Sequence, residues 1–139
     1  MAKNGFSMSN RVAVEALTAA KTLTADDCGK VFTVDAGGAI SITLPSPGVA
    51  GAGWNTTIIA SDVPGGNVTV AAGAALIHFV GVGSEVTSGT DYPGSDGTAA
   101  SNLILTTNAA KGDRIELVTD GSLWYGKTFA VDQNGITAS

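Results

Sequence analysis

Short runs of alternating apolar and polar residues, separated by glycine and proline pairs, set the strongest limit on how this chain folds. Phe32 and Val34 fall on one face of such a run, and Thr33 and Asp35 fall on the other. This two-residue period is typical of a half-buried strand. Similar runs recur along the chain, and turn-forming residues bound them. The pattern predicts an all-β, single-domain sandwich or open barrel of about eight short antiparallel strands.

The composition restricts the partners of such a domain. Charged residues make up 14% of the chain, the formal net charge is −5, and the 7 lysines and arginines are scattered. No basic stretch is present for nucleic acid, and no apolar run reaches the roughly twenty residues of a membrane helix. We therefore expect no nucleic-acid or membrane partner, synthesis in the cytoplasm, and self-assembly, most simply as a homotrimer, that covers part of the weakly charged surface.

The stretch GSLWYGKT matches the phosphate-binding pattern G-x-x-x-x-G-K-[ST]. That pattern needs a glycine-rich loop followed by a helix whose N-terminus faces the phosphates. Here Asp120-Gly121 is a preferred two-residue hairpin turn, Trp124 occupies a variable position, and the residues that follow leave no room for the helix. We therefore predict a hairpin with Lys127 as a solvated strand residue, and no nucleotide cofactor.

The other polar candidates each have a structural interpretation. His78 is the single histidine and has apolar neighbours, which favours a strand residue over a metal ligand or a general base. Asp91 and Asp96 lie in a glycine-rich loop but do not match the calcium-loop spacing. Cys28 has no disulfide partner, and we expect it to be a small, partly buried side chain. We expect no catalytic residue, no metal and no cofactor.

The aromatic residues raise the possibility of a sugar-stacking platform. Trp54 and Trp124 fall within strand patterns, so we expect both in the core. Tyr92 lies in the long non-periodic stretch 81–101, and it is the better candidate for a surface contact than the tryptophans or Tyr125.

Residues 1–20 differ from the rest of the chain. Polar residues come first, and RVAVEAL then fits a short strand by the alternation of Val12, Val14 and Ala16, or a helical turn by its composition. We divide the chain into an N-terminal arm, residues 1–20, and a β-domain, residues 21–139. An integral strand in RVAVEAL is the alternative.

Two segments resemble small β-structured virion proteins of tailed phages. Residues 22–59 carry a Leu-Thr-Ala-x-Asp-x-Gly-Lys-x-Phe opening that leads through a glycine turn to Ile-Thr-Leu-Pro. Residues 112–126, GDRIELVTDGSLWYG, are similar to the closing hairpin of these proteins, with a Thr-Asp-Gly turn and a returning Trp-Tyr pair.

The resemblance implies a capsid decoration (cement) protein, commonly trimeric, which binds the major capsid protein on the outer capsid surface, stabilises the shell and performs no chemistry. A head-fibre or tail-fibre receptor-binding module, with the loop 81–101 as its contact surface, is the alternative. A polysaccharide hydrolase is disfavoured by the shortage of paired catalytic groups. In a decoration protein we expect the arm to anchor the domain by adding a strand to a neighbour or by laying apolar residues into a groove. The expected capsid-contact residues are Phe6, Arg11, Val12, Val14 and Leu17.

Overall fold

The chain is mostly β-structure. The computed structural model describes residues 11–83 and 99–139. Two short helices lie in the connections within these ranges, a 3₁₀ helix, Ala25–Asp27, and α1, Pro47–Ala50. In chain order the strands are β1 (Val14–Leu17), β2 (Lys21–Thr22), β3 (Val31–Val34), β4 (Ile40–Thr43), β5 (Asn55–Ala60), β6 (Val68–Ala71), β7 (Ile77–Gly83), β8 (Ala99–Ala100), β9 (Asn102–Leu105), β10 (Arg114–Thr119), β11 (Trp124–Ala130) and β12 (Ile136–Ala138).

These strands form two mixed sheets. The 7-stranded sheet has the order β1-β3-β5-β10-β11-β7-β8, and the 5-stranded sheet has the order β12-β9-β6-β4-β2. The all-β prediction is confirmed at this level. The strand count within the described ranges is higher than the expected eight, because β1, β2, β8 and β12 have only two to four residues each and are too short to show a clear alternation in the sequence.

The first six strands alternate between the two sheets. β1, β3 and β5 lie in the larger sheet, and β2, β4 and β6 lie in the smaller one. Each strand therefore pairs with the next but one along the chain, and these pairs are parallel. The predicted antiparallel arrangement is wrong for them, because a strand that crosses to the other sheet and returns runs in its original direction. Farther along the chain, β10 and β11 form a local antiparallel hairpin.

Buried side chains of both sheets form one hydrophobic core. Phe32 and Val34 face inward, as their alternation predicts. Trp54 and Trp124 are 2% and 0% exposed, and their rings meet edge to face with centroids 5.4 Å apart. The prediction that both tryptophans belong to the core is confirmed. The indole N–H of Trp54 also donates to the carbonyl of Ala25, 3.1 Å away, which ties the 3₁₀ helix to the core.

Two glycine turns stack where successive strands cross between the sheets. The turn after β3 contains Gly37-Gly38, and the turn after β5 contains Gly65-Gly66. The N–H of Gly65 donates to the carbonyl of Ala36 at 2.8 Å. A Cβ added to Gly66 would lie 2.3 Å from the backbone nitrogen of Ala39, so only glycine fits there without a backbone shift.

We expect Gly66→Ala to destabilise the protein by at least about 1–3 kcal/mol, because the added methyl group pushes the two turns apart. Urea denaturation followed by circular dichroism measures this change. Gly38→Ala is the matched control, since a Cβ at Gly38 meets no atom within 4 Å. Equal stabilities of the two variants would contradict the stacking explanation.

Candidate functional site

Strand β1 forms one edge of the larger sheet. It pairs in parallel with β3, so that Val14 lies beside Val31 and Leu17 lies beside Val34. Leu17 is 7% exposed and belongs to the hydrophobic core. The structure therefore has the integral strand in RVAVEAL, which is the alternative to an arm, and residues 14–17 are part of the sheet.

The expected capsid-contact residues have different surroundings. Phe6 lies outside the described residues. Arg11 is exposed, and the side chains of Val12 and Val14 are 58% and 64% exposed. Leu17 points into the core of its own chain and offers no surface to a partner. The exposed part of the set, Arg11, Val12 and Val14, is called the N-terminal edge below.

Four charged side chains surround the inner side of β1. The Lys30 ammonium lies 2.6 Å from the Asp27 carboxylate and 3.6 Å from that of Glu15. Lys21 donates a hydrogen bond to Glu15 and lies 3.9 Å from Asp27. Asp27 is buried and also accepts the N–H of Thr24 at 2.9 Å. This charge cluster joins β1 to β2 and to the 3₁₀ helix.

The cluster shifts the pKa values of Glu15, Asp27 and Lys30. The hydrogen bond from Lys21 lowers the pKa of the Glu15 carboxyl. Burial acts to raise the pKa of Asp27, but the hydrogen bonds from Lys30 and from the Thr24 N–H outweigh it, and the pKa is lowered. The hydrogen bond to Asp27 raises the pKa of Lys30. Each of these shifts favours the charged form, so the cluster holds β1 most tightly when Glu15, Asp27 and Lys30 are ionised.

A groove of about 350 Å³ crosses β5, β10 and β11 on the outer face of the larger sheet. Its floor is the backbone of Thr56, Leu117 and Gly126, which are paired across the three strands. The residues on either side of the floor form two walls. One wall is the row Asn55, Val118 and Tyr125, and the other is the row Thr57, Glu116 and Lys127.

The sequence gives only part of the signal for this groove. The alternation in DRIELV and in SLWYGKTFAV indicates that Glu116, Tyr125 and Lys127 face away from the core. Their neighbours Asn55 and Thr57 come from a strand far along the chain. The pairing between β5 and β10 that brings these residues together cannot be read from either strand alone.

The stretch GSLWYGKT forms the turn and returning strand of a hairpin. Gly121 has φ +93°, and the Asp120 carboxylate accepts the N–H groups of Ser122 and Leu123, both at 2.8 Å. These two backbone donors lower the pKa of Asp120. The chain then continues as β11, so the hairpin prediction is confirmed, and a strand occupies the place where a phosphate loop and a helix were required. The predicted two-residue turn is wrong, because Thr119 pairs with Trp124 and the loop therefore has the four residues 120–123.

The ring of Tyr125 is fixed from its hydroxyl end. Its O–H donates to the Asp120 carboxylate at 3.1 Å, and this hydrogen bond raises the pKa of the phenol. The His78 ring lies beside it, with a centroid distance of 6.2 Å and a tilt of 33°. His78 is half-buried in β7, as expected for a strand residue.

Two further expectations concern residues outside the groove. Cys28 is exposed, and the prediction that it is partly buried is wrong, because the chain turns after the 3₁₀ helix and Asp27 points inward instead. The loop residues Asp91, Tyr92 and Asp96 lie outside the described residues.

Among residues 11–83 and 99–139, no three or more His, Cys, Asp or Glu side chains are grouped so as to hold a metal ion. No helix in these two ranges has the length and apolar character needed to cross a membrane. No protein-family model matches the chain, and no curated protein is significantly similar to it.

We expect the folded protein to lose stability as the pH falls through the acid range. Glu15 and Asp27 have folded pKa values below their ordinary 4.5 and 3.8. Their contribution is therefore present above about pH 5 and lost as the pH drops through the lowered values. The raised pKa of Lys30 affects stability only in the alkaline range, above its ordinary 10.5.

Asp27→Asn tests this expectation. The substitution removes a buried, charge-assisted hydrogen bond, so we expect a loss of about 1–3 kcal/mol at neutral pH and a flatter stability profile between about pH 5 and 3. Urea denaturation at several pH values gives both quantities. Asp26→Asn, at an exposed carboxylate of the same 3₁₀ helix, is the control. If the free energy of unfolding fell with decreasing pH equally steeply in wild type and in Asp27→Asn, the role of the cluster would be contradicted.

Proposed function

We propose that the chain is a structural protein of a tailed-phage virion, a decoration protein that binds the major capsid protein on the outer capsid surface and stabilises the shell. The resemblance supports this proposal, and the fold adds to the support. Residues 22–59 contain β3, β4 and β5, and residues 112–126 contain the hairpin of β10 and β11. β5 pairs with β10, so these two distant segments meet in one block, β3-β5-β10-β11, of the larger sheet.

The exposure of the N-terminal edge is the observation that carries the proposal. Val12 and Val14 are large apolar side chains, more than half exposed, on or next to an edge strand. An edge strand offers backbone groups for strand addition, and neighbouring apolar side chains fix its register in alternate pockets. Arg11 places a positive charge beside them in a chain of net charge −5. This combination suits attachment to a larger protein surface.

We expect the double variant Val12→Ser and Val14→Ser to bind capsids at least about tenfold more weakly, which is about 1.4 kcal/mol and within reach of two buried valines. The measurement is cosedimentation with undecorated capsids of the phage that encodes the chain, alongside circular dichroism. Val63→Ser and Val131→Ser are matched controls, because these valines are 57% and 62% exposed and lie outside β1. Undiminished binding of the folded double variant would contradict the proposal.

A deletion provides a second test of the same surface. Removal of residues 1–10, which include Phe6, leaves β1 in place, and we expect a folded domain with weakened capsid attachment. Removal of residues 1–17 is a less direct test, since it also takes Leu17 from the core and Glu15 from the charge cluster.

We further propose that the protein assembles as a homotrimer. Low charge and exposed valines leave apolar surface that contact between subunits would cover. Multi-angle light scattering at micromolar concentration is expected to give the mass of three chains. A monomer in solution that also fails to associate on the particle would count against it.

A head-fibre or tail-fibre receptor-binding module is the second candidate, and the groove on the outer face favours it as a place for a receptor. Gel densitometry of purified virions separates the two roles, because a decoration protein is present in hundreds of copies and a fibre module in a handful. In either role the protein is not an enzyme. Glu116 is the single carboxylate among the residues lining the groove, whereas glycoside hydrolysis uses an opposed pair.

A further inference from the structure

We propose that the outer-face groove across β5, β10 and β11 is a binding site for a neutral oligosaccharide. This site is separate from the N-terminal edge, and the proposal does not depend on capsid attachment. It rests on the shape of the groove, on the fixed aromatic ring in one wall and on the pair of opposite charges in the other.

A ligand in the groove would contact side chains and almost no free backbone groups. Its floor lies on β10 and on the two strands that pair with it, so the floor's N–H and C=O groups take part in the sheet. On each strand, the two wall residues are two positions apart, so the walls are separated by about 7 Å. Each wall crosses three strands, and β5 and β11 are about 10 Å apart. A peptide lying in this groove would leave its own backbone without main-chain partners, which disfavours it.

The first wall presents an apolar platform. Tyr125 is 41% exposed, Val118 is 43% exposed, and the two residues are directly paired across β10 and β11. The hydrogen bond to Asp120 fixes the Tyr125 ring before any ligand binds, so little conformational entropy is lost on binding. The apolar C–H face of a pyranose ring matches a platform of this kind.

The second wall presents hydrogen-bonding groups of opposite character. Glu116 on β10 is the register partner of Lys127 on β11 and of Thr57 on β5. A carboxylate only accepts hydrogen bonds and an ammonium group only donates them. Sugar hydroxyls do both, so the hydroxyl groups of an oligosaccharide are suited to both side chains. The Nε atom of Arg114 lies 3.3 Å from the Glu116 carboxylate.

The same wall disfavours other small ligands. An anion such as a nucleotide would meet the Glu116 carboxylate in a chain of net charge −5. A fully apolar ligand would remove water from the Glu116 carboxylate and the Lys127 ammonium group without replacing its hydrogen bonds, which is costly. A neutral polyhydroxylated ring with one apolar face fits both walls.

The test is a titration of ¹⁵N-labelled protein with cellohexaose, maltohexaose and hexa-N-acetylchitohexaose, monitored by amide NMR chemical shifts. Dextran sulfate and magnesium-ATP serve as anionic probes. We expect at least one neutral oligosaccharide to give saturable shifts at Glu116, Tyr125, Gly126 and Lys127. Tyr125→Ala is expected to weaken binding at least about tenfold, and Tyr125→Phe, which keeps the ring, less than about threefold. Glu116→Gln is also expected to weaken binding.

Leu123→Ala is the control, because this side chain is 38% exposed and lies in the hairpin turn outside the groove. Saturable shifts that disappear in Tyr125→Ala but persist in Leu123→Ala support the site. No response to the neutral probes, stronger binding of an anionic probe, or binding unaffected by Tyr125→Ala would overturn it. A changed mass of Tyr125→Ala in light scattering would also overturn it, by assigning the groove to contact with a second copy. Capsid cosedimentation of Tyr125→Ala is expected to be normal, which separates failure of this site from failure of the decoration role.

Discussion

Close stacking of the Gly65-Gly66 turn on the Gly37-Gly38 turn is the constraint on which both sheets depend. Strands in a sheet lie about 4.8 Å apart, so turns that lead out of neighbouring strands must approach equally closely. The first turn joins β3 to β4 and the second joins β5 to β6. One contact between backbones therefore fixes the β3–β5 pairing in the larger sheet and the β4–β6 pairing in the smaller one. A side chain at Gly66 would disturb both pairings at once.

The two proposed binding surfaces use the larger sheet in different ways. Strand addition at β1 needs the backbone at the side of the sheet, whereas the groove uses side chains on its outer face. β3 separates β1 from the groove-lining strands β5, β10 and β11. A partner at the edge therefore leaves the groove open. The charge cluster lies on the inner side of β1. It attaches β1 to the rest of the domain and belongs to neither binding surface.

Local properties of this fold follow from the sequence, and long-range properties do not. The inward positions of Phe32 and Val34, the buried tryptophans and the hairpin at Asp120-Gly121 are each encoded within a few residues. The parallel pairing is not encoded locally. Alternation shows which face of a strand is apolar, but it does not show which strand lies beside it. The membership of β1 in the sheet depends on Leu17 reaching a core built by distant strands. The groove likewise depends on the pairing of β5 with β10.

The alternation of the first six strands between the two sheets also determines how the chain reaches its native state. No strand in this half pairs with its immediate successor, so every pairing there closes a loop that contains a strand of the other sheet. Such non-local pairings form slowly, since the entropy of loop closure is lost before any contact compensates it. The hairpin of β10 and β11 is the local exception, and β5 pairs directly onto it. Assembly of the larger sheet is therefore expected to begin at this hairpin, and the non-local pairings are expected to follow it.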